Sequence, residues 1–120
     1  MPSTVHALFT QTAARTPAAD FLCVEPVTAA AYGIAPGTVA WAEAAREVER
    51  LRAAYAAAGY GHGHRVGLLL ENRPELLFAV AGIVKLGAIA AAINTRQRGR
   101  VLEHSFKVSK AGAFVIGEDL

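Results

Sequence analysis

The sequence predicts an α/β fold, a parallel sheet with βαβ crossovers. Three observations predict it. Apolar runs recur at 65–70, 88–93 and 113–116, helical periodicity fills the intervals, and the connections are short and marked by glycine or proline. Runs without polar alternation belong to strands covered on both faces, which is the situation of a parallel sheet.

The first element is a helix over 3–15, with Ser3 or Thr4 as N-cap and Val5, Leu8, Phe9 and Thr12 along one side. Thr16-Pro17 ends it, because a residue before proline avoids the helical region. A short strand follows at 21–25, then an irregular loop from Pro26 to Gly37 containing two prolines and two glycines. From Ala42 to Ala58 the spacing of Val48, Leu51, Tyr55 and Ala58 gives an amphipathic helix, with Gly59 at its C′ position. Its charges lie three or four apart with opposite sign and read as a solvated face. The 65–70 strand leads to Asn72, a candidate cap, and Pro74, which suits a first helical turn. That helix runs to Leu86 and stops at Gly87. The 88–93 strand, a helix over 98–109 and a strand at 113–117 complete the alternation, with right-handed crossovers expected.

Composition narrows the function classes. Of 120 residues, 53% are apolar, but 26 of those 64 are alanine, and charged residues at 18% fall below the usual ~25%. A disordered or acidic chain is excluded. One cysteine, Cys23, excludes a disulfide scaffold and a multi-cysteine zinc site and fits a reducing, cytoplasmic compartment. A net charge of +2 is too small for a nucleic-acid binder. The start, Met1 to His6, lacks the basic and apolar regions of a signal peptide. Leu76 to Ile93 holds a single charge over eighteen residues, but Lys85 near its middle and Gly82 and Gly87 make it a buried helix and strand, not a membrane span.

Few constellations carry chemistry. Gly59-Tyr60-Gly61-His62-Gly63 follows a helix and opens a strand, the reverse of a dinucleotide loop, and reads as a tight turn. His62 and His64 lack a third ligand nearby, and His104 lacks a nucleophile or acid that sequence can place beside it. Arg96, Arg98, Arg100, Lys107 and Lys110 against Glu103 make a local +4, suited to phosphate or an anionic membrane surface, or simply a solvated helix face. The solvated face is the plainer reading; what raises the ligand reading is position, since Asn94-Thr95-Arg96 follows the carboxyl end of a parallel strand, where open α/β sheets bind theirs.

The order of these pieces resembles adenylate-forming enzymes, the superfamily of acyl-CoA synthetases, luciferases and peptide-synthetase adenylation domains. Ala40-Trp41-Ala42-Glu43 is similar to their TYAEL segment, and Gly59 to Val66 to GVGKGDRV. Leu69 to Glu75 resembles LLENRPEF, and Lys85-Leu86-Gly87-Ala88 matches KLGA. Ala92 to Gly99 with Leu102-Glu103-His104-Ser105 is similar to LINTNLRGEALAHS, wording of the long-chain and fatty-acid-transport-protein branch. Two departures bear on stability. Alanine stands at position 40 where the family has threonine, removing a helix cap at ~0.5–2 kcal/mol, and His64 replaces an aspartate.

The resemblance implies an ATP- and CoA-dependent fatty acyl-CoA synthetase, an acid–thiol ligase that uses Mg²⁺, with residues 1–120 as the start of its large N-terminal domain. It assigns no catalytic or metal residue here, because the family's glycine-rich ATP loop, Mg²⁺-associated glutamate and catalytic lysine have no counterpart in this chain. The chain alone is expected to be inactive. The candidate ligand contacts are Asn94, Thr95, Arg96 and Arg98. Two alternatives stay open: a non-catalytic module meeting a membrane or acidic partner, and a peptide-synthetase-type adenylation domain. An unpaired edge strand further predicts marginal stability or self-association, with a homodimer among the partners.

Overall fold

The computed structural model describes residues 3–118 and 120; Met1 and Pro2, part of the start read above as lacking a leader, lie outside the described residues, as does Asp119. Ten elements follow in order: α1 (Val5–Arg15), β1 (Asp20–Val24), α2 (Pro26–Tyr32), β2 (Gly37–Ala40), α3 (Trp41–Ala57), β3 (Arg65–Leu69), α4 (Pro74–Lys85), β4 (Ile89–Ala92), α5 (Gly99–Ser109) and β5 (Ala113–Ile116). β4, β3 and β5 form one sheet in that order, with both pairs parallel, as the alternation of apolar runs predicts. β1 and β2 form a separate antiparallel pair.

The register sorts the central strand by face. Val66 and Leu68 pack with Ala79, Ile83 and Ala88 on the α4 side. Gly67 alternates to the other side, opposite Ala91 and Phe114. A Cβ on Gly67 would overlap the Phe114 ring, so the missing side chain is what lets that ring lie on the sheet. Phe114 in turn meets Phe106 of α5 edge-on at 4.8 Å, so α4 and α5 cover opposite faces.

α3 lies against α4, and Gly82 sets their separation. A Cβ there would stand 3.0 Å from the Leu51 Cβ and 3.3 Å from the Arg52 nitrogen and the Val48 oxygen. A second core of Ala44, Val48 and Phe78 grows from this contact, joined by Phe9, Phe21, Val39 and Leu51. Phe21 and Trp41 approach to 4.8 Å and Phe21 and Phe78 to 6.3 Å, which ties β1, α3 and α4 together. Lys85 at the end of α4 reaches Glu49 of α3 at 2.5 Å. Glu49 also accepts from Arg52, and these bonds from Arg52 and Lys85 hold its carboxyl down at about 2.

Four local expectations need correction. The stretch 26–37 is not an irregular loop. Pro26 opens α2 at its first turn, Ala29 is buried, Gly33 at φ +64° closes the helix, and Gly37 begins β2. Asn72 does not cap α4; Arg73 holds that position, without a side-chain cap bond. α1 turns Phe9 and Ala13 inward and leaves Val5 and Leu8 exposed, because its contact is the aromatic cluster at Phe21 and Trp41. Ala58, read as part of the apolar stripe of α3, is exposed and serves as its C-cap.

Other expectations hold. Thr4 caps α1 by accepting from the Ala7 N–H at 3.0 Å. Gly59 and Gly87 end α3 and α4 at φ +94° and +82°. Ala40 offers α3 no cap, as its side chain dictates, yet the first donors are satisfied. The N–H groups of Trp41 and Ala42 donate to the carbonyls of Ala19 and Pro17, both at 3.0 Å.

Candidate functional site

Two loops leave the carboxyl ends of the adjacent parallel strands β3 and β4. The first, Leu70-Glu71-Asn72, enters α4; the second, Ile93-Asn94-Thr95-Arg96, leads to α5. A crevice of about 550 Å³ opens between them, with Leu68, Leu76 and Ala92 supplying apolar walls and Tyr32, from the end of α2, on a further side. This is where an open parallel sheet places a ligand.

The second loop is held by its own polar groups. Ile93 N–H donates to the Leu68 carbonyl at 2.8 Å, fastening the loop to β3. Asn94 Oδ1 accepts the Arg96 N–H at 2.9 Å, an Asx-turn that reverses the chain. Ser105 Oγ of α5 donates to Gln97 Oε1 at 2.6 Å. On the other side, the Arg73 guanidinium stands 5.4 Å from the Tyr32 ring centroid and pairs with Glu75 at 2.9 Å, which fixes Tyr32 over the crevice. Burial raises the Glu75 carboxyl, but bonds from Arg73 and from its own backbone N–H outweigh it and bring the group below its ordinary value.

Of the four candidate residues, the structure brings Asn94, Thr95 and Arg96 to the crevice. Arg98 is not among its lining. Its Nη1 donates to the carbonyls of Thr95 and Gln97 at 2.5 and 2.7 Å, so it braces the loop instead of facing the crevice. Sequence reasoning passed over Tyr32, Glu71 and Asn72 as crevice residues. Glu71 and Asn72 follow a parallel strand, a signal that could have found them; Tyr32 sits in a stretch read as irregular and left none.

Arg96 gives the rim an exposed cation, and Asn72, Asn94 and Thr95 add amide and hydroxyl groups. The set suits a polar, phosphate-bearing ligand such as a nucleotide, with apolar surface beneath. Glu71 is the one carboxylate in the lining, so this crevice by itself does not make a Mg²⁺ cage. Among the described residues no three His, Cys, Asp or Glu side chains gather as a metal site. His64 serves the α3–β3 turn, its Nδ1 accepting the Gly61 N–H at 2.8 Å, as a carboxylate oxygen could. The basic stretch is partly spent: Lys107 pairs with Glu103 at 3.0 Å and Arg98 is tied to its loop. No described helix is long and apolar enough to cross a membrane.

A parallel α/β sheet with a polar crevice beyond two strand ends is the arrangement of an open α/β ligand-binding domain. The model of the AMP-binding enzyme family matches residues 9–120, and the chain belongs to that family. It is similar to the Mycobacterium tuberculosis medium/long-chain-fatty-acid–CoA ligase FadD6, 42% identical over 71 residues, which are 59% of this chain and 12% of the relative. It also resembles the human long-chain fatty acid transport protein 6, 34% identical over 58 residues, 48% of this chain and 9% of that protein. Among solved structures, a Mycobacterium tuberculosis fatty acyl CoA synthetase superposes with a TM-score of 0.81 at 26% identity, covering 94% of this chain and 21% of that one. The Klebsiella oxytoca NpsA N-terminal subdomain in complex with anthranilyl-AMSN reaches 0.82 at 18% identity, covering 95% and 27%, a likeness of fold. The chain thus spans about a tenth of the curated relatives and about a quarter of these structures.

Proposed function

We propose that this chain is the N-terminal segment of the large domain of an ATP- and CoA-dependent fatty acyl-CoA ligase. In that reaction a carboxylate attacks the α-phosphate of ATP, giving acyl-adenylate and pyrophosphate, and the CoA thiol then displaces AMP. The segment contributes scaffold and one wall of a ligand channel. Arg96 meets phosphate, Asn94 and Thr95 hold the loop that presents it, and Arg98 braces that loop from behind. The observation that carries this reading is the crevice rimmed by Arg96 beyond β3 and β4, in a chain of the AMP-binding family. The fatty-acid assignment draws on the identity to FadD6. The peptide-synthetase alternative draws only on likeness of fold.

Residues 9–120 grafted in place of the matching segment of the M. tuberculosis fatty acyl CoA synthetase test the proposal. The chimera is expected to form fatty acyl-CoA, and Arg96→Ala within it to raise the KM for ATP or CoA about tenfold, the loss of one charge-assisted contact. A folded chimera without activity, or one indifferent to Arg96→Ala, overturns it. The chain alone is expected to release no pyrophosphate from ATP and fatty acid above a heat-inactivated control. Salt-sensitive binding of the chain to anionic vesicles, without ATP or CoA, would instead make 96–110 an interaction surface.

A further inference from the structure

Tyr32 is the one aromatic side chain among the described residues that line the crevice. It closes α2, and the turn after it is fastened by the backbone. Gly33 takes φ +64°, and the Gly33 and Ile34 N–H groups donate to the carbonyls of Ala30 and Ala29 at 3.3 and 3.0 Å. Ala29 itself is 1% exposed, so the end of α2 is anchored in the fold and the ring leaves a fixed backbone.

The ring is also held from behind. Arg73 brings its guanidinium over the Tyr32 ring while its Nε and Nη2 donate to the two Glu75 carboxylate oxygens at 2.9 and 3.4 Å. That two-pronged bond sets the plane of the guanidinium. Arg73 lines a different hollow, with Cys23, Glu25 and Thr28, and is not among the crevice lining; Tyr32 lines the crevice and not that hollow. The ring thus stands between the cation and the crevice. A cation over one face of a tyrosine leaves the other for a second partner, and flat, polarisable groups suit it best. Arg96 belongs to the same lining, and about 550 Å³ is room for a base, a sugar and phosphates together. Every contact that holds the ring is made within residues 29–75.

We infer that Tyr32 is the stacking platform for the base of an adenine nucleotide whose phosphate Arg96 takes, and that Arg73, locked by Glu75, is the positioning residue for that ring. The inference rests on the ligase reading of the crevice and deepens it, assigning the base as well as the phosphate. Adenine enters that reaction in two forms, ATP and CoA, and one ring chemistry serves either.

The chimera carrying residues 9–120 tests it through the KM for each. Tyr32→Leu keeps the bulk and removes the aromatic face; it is expected to raise the KM for one of the two at least about fivefold, with the loss in KM and not in kcat. Tyr32→Phe keeps the face and drops the hydroxyl, and is expected to stay within about twofold of the parent chimera. Arg73→Gln is expected to raise the same KM about two- to fivefold by loosening the ring. Ringless probes separate stacking from a general disturbance of the crevice. If the ligand is CoA, phosphopantetheine keeps its KM in Tyr32→Leu; if it is ATP, inorganic tripolyphosphate keeps its inhibition constant. Circular dichroism verifies that each variant is folded, and Arg73→Gln reads the same KM should Tyr32→Leu fail to fold. An unchanged KM for both substrates in Tyr32→Leu, while Arg96→Ala still raises one, overturns the inference and leaves the ligase reading standing. A Tyr32→Phe variant as impaired as Tyr32→Leu, or a ringless probe weakened as much as its parent, also overturns it. An inactive chimera, or one indifferent to both Tyr32→Leu and Arg96→Ala, overturns the ligase reading and this inference together.

Discussion

The two faces of the β4–β3–β5 sheet hold similar side chains to very different effect. On the α4 face Val66, Leu68 and Ile83 are at most 1% exposed, and Val48 of α3 is as deeply buried. On the α5 face Phe114 and Ile116 are 38% and 50% exposed, and α5 itself contains no buried residue. Apolar content does not separate them. The α4 face is closed because Gly82 lets a second helix, α3, lie directly on the first, so that one layer is sealed by another. α5 has no helix behind it among the described residues, and its contact with the sheet runs through Phe106 on Phe114. Burial in a small α/β unit is set by the number of layers before it is set by the hydrophobicity of any one element.

The contrast can be broken at its deepest point. Ile83→Ala, which empties a site 0% exposed, is expected to cost about 2–5 kcal/mol, read as a fall in the urea midpoint. Gly67→Ala is the next largest, at about 1–3 kcal/mol, because the new methyl overlaps the Phe114 ring. Pairing it with Phe114→Ala should return part of that loss, and a strictly additive double-mutant cycle would show that the ring is not what the methyl meets. Gly82→Ala presses instead on the backbone of α3, which cannot swing aside. Its crowding exceeds the helix-propensity gain of about 1 kcal/mol, so a small net destabilisation is expected, where an exposed glycine would give stabilisation.

Acid sharpens the comparison more gently. The folded Glu49 carboxyl titrates at about 2, below its ordinary 4.5, so its pairing stabilises the fold above the ordinary value and is lost as pH falls from there toward 2. Glu49→Gln should flatten that part of the stability curve by lowering stability at neutral pH toward the level the wild type reaches in acid. A variant curve as steep as the wild type between pH 4.5 and 2 would assign the loss to other carboxylates. Smallest of all, Val108→Ala on the open face removes a side chain 56% exposed and is expected to shift the midpoint by no more than about 0.5 kcal/mol.

How much of this was legible in the sequence follows the same layering. The parallel core could be read because β3, β4 and β5 are continuous apolar runs, and because Pro74, Gly59 and Gly87 punctuate them by backbone chemistry that acts locally. α2 and β2 could not. Pro26 and three alanines favour a helix only weakly, and β2 owes its extension to pairing with β1, a partner sequence does not announce. At the crevice, strand-end position was enough to find Asn94, Thr95 and Arg96. Arg98 was grouped with them on its charge, and the carbonyls of Thr95 and Gln97 that hold it away from the crevice lining are not visible in the sequence. Tyr32 arrives by way of α2 and Arg73, a tertiary route.

The start of α3 bears on the time course of folding. A helix with its own serine or threonine cap can nucleate its first turn from local chain alone. Here the donors of Trp41 and Ala42 wait on carbonyls more than twenty residues upstream, at Ala19 and Pro17. The loop that brings them must close first, so the helix grows from its middle and acquires its N-terminal turn late. Substitutions at that turn therefore act chiefly on the unfolding rate, and Ala40→Ser, by supplying a local cap, would advance the turn toward the transition state.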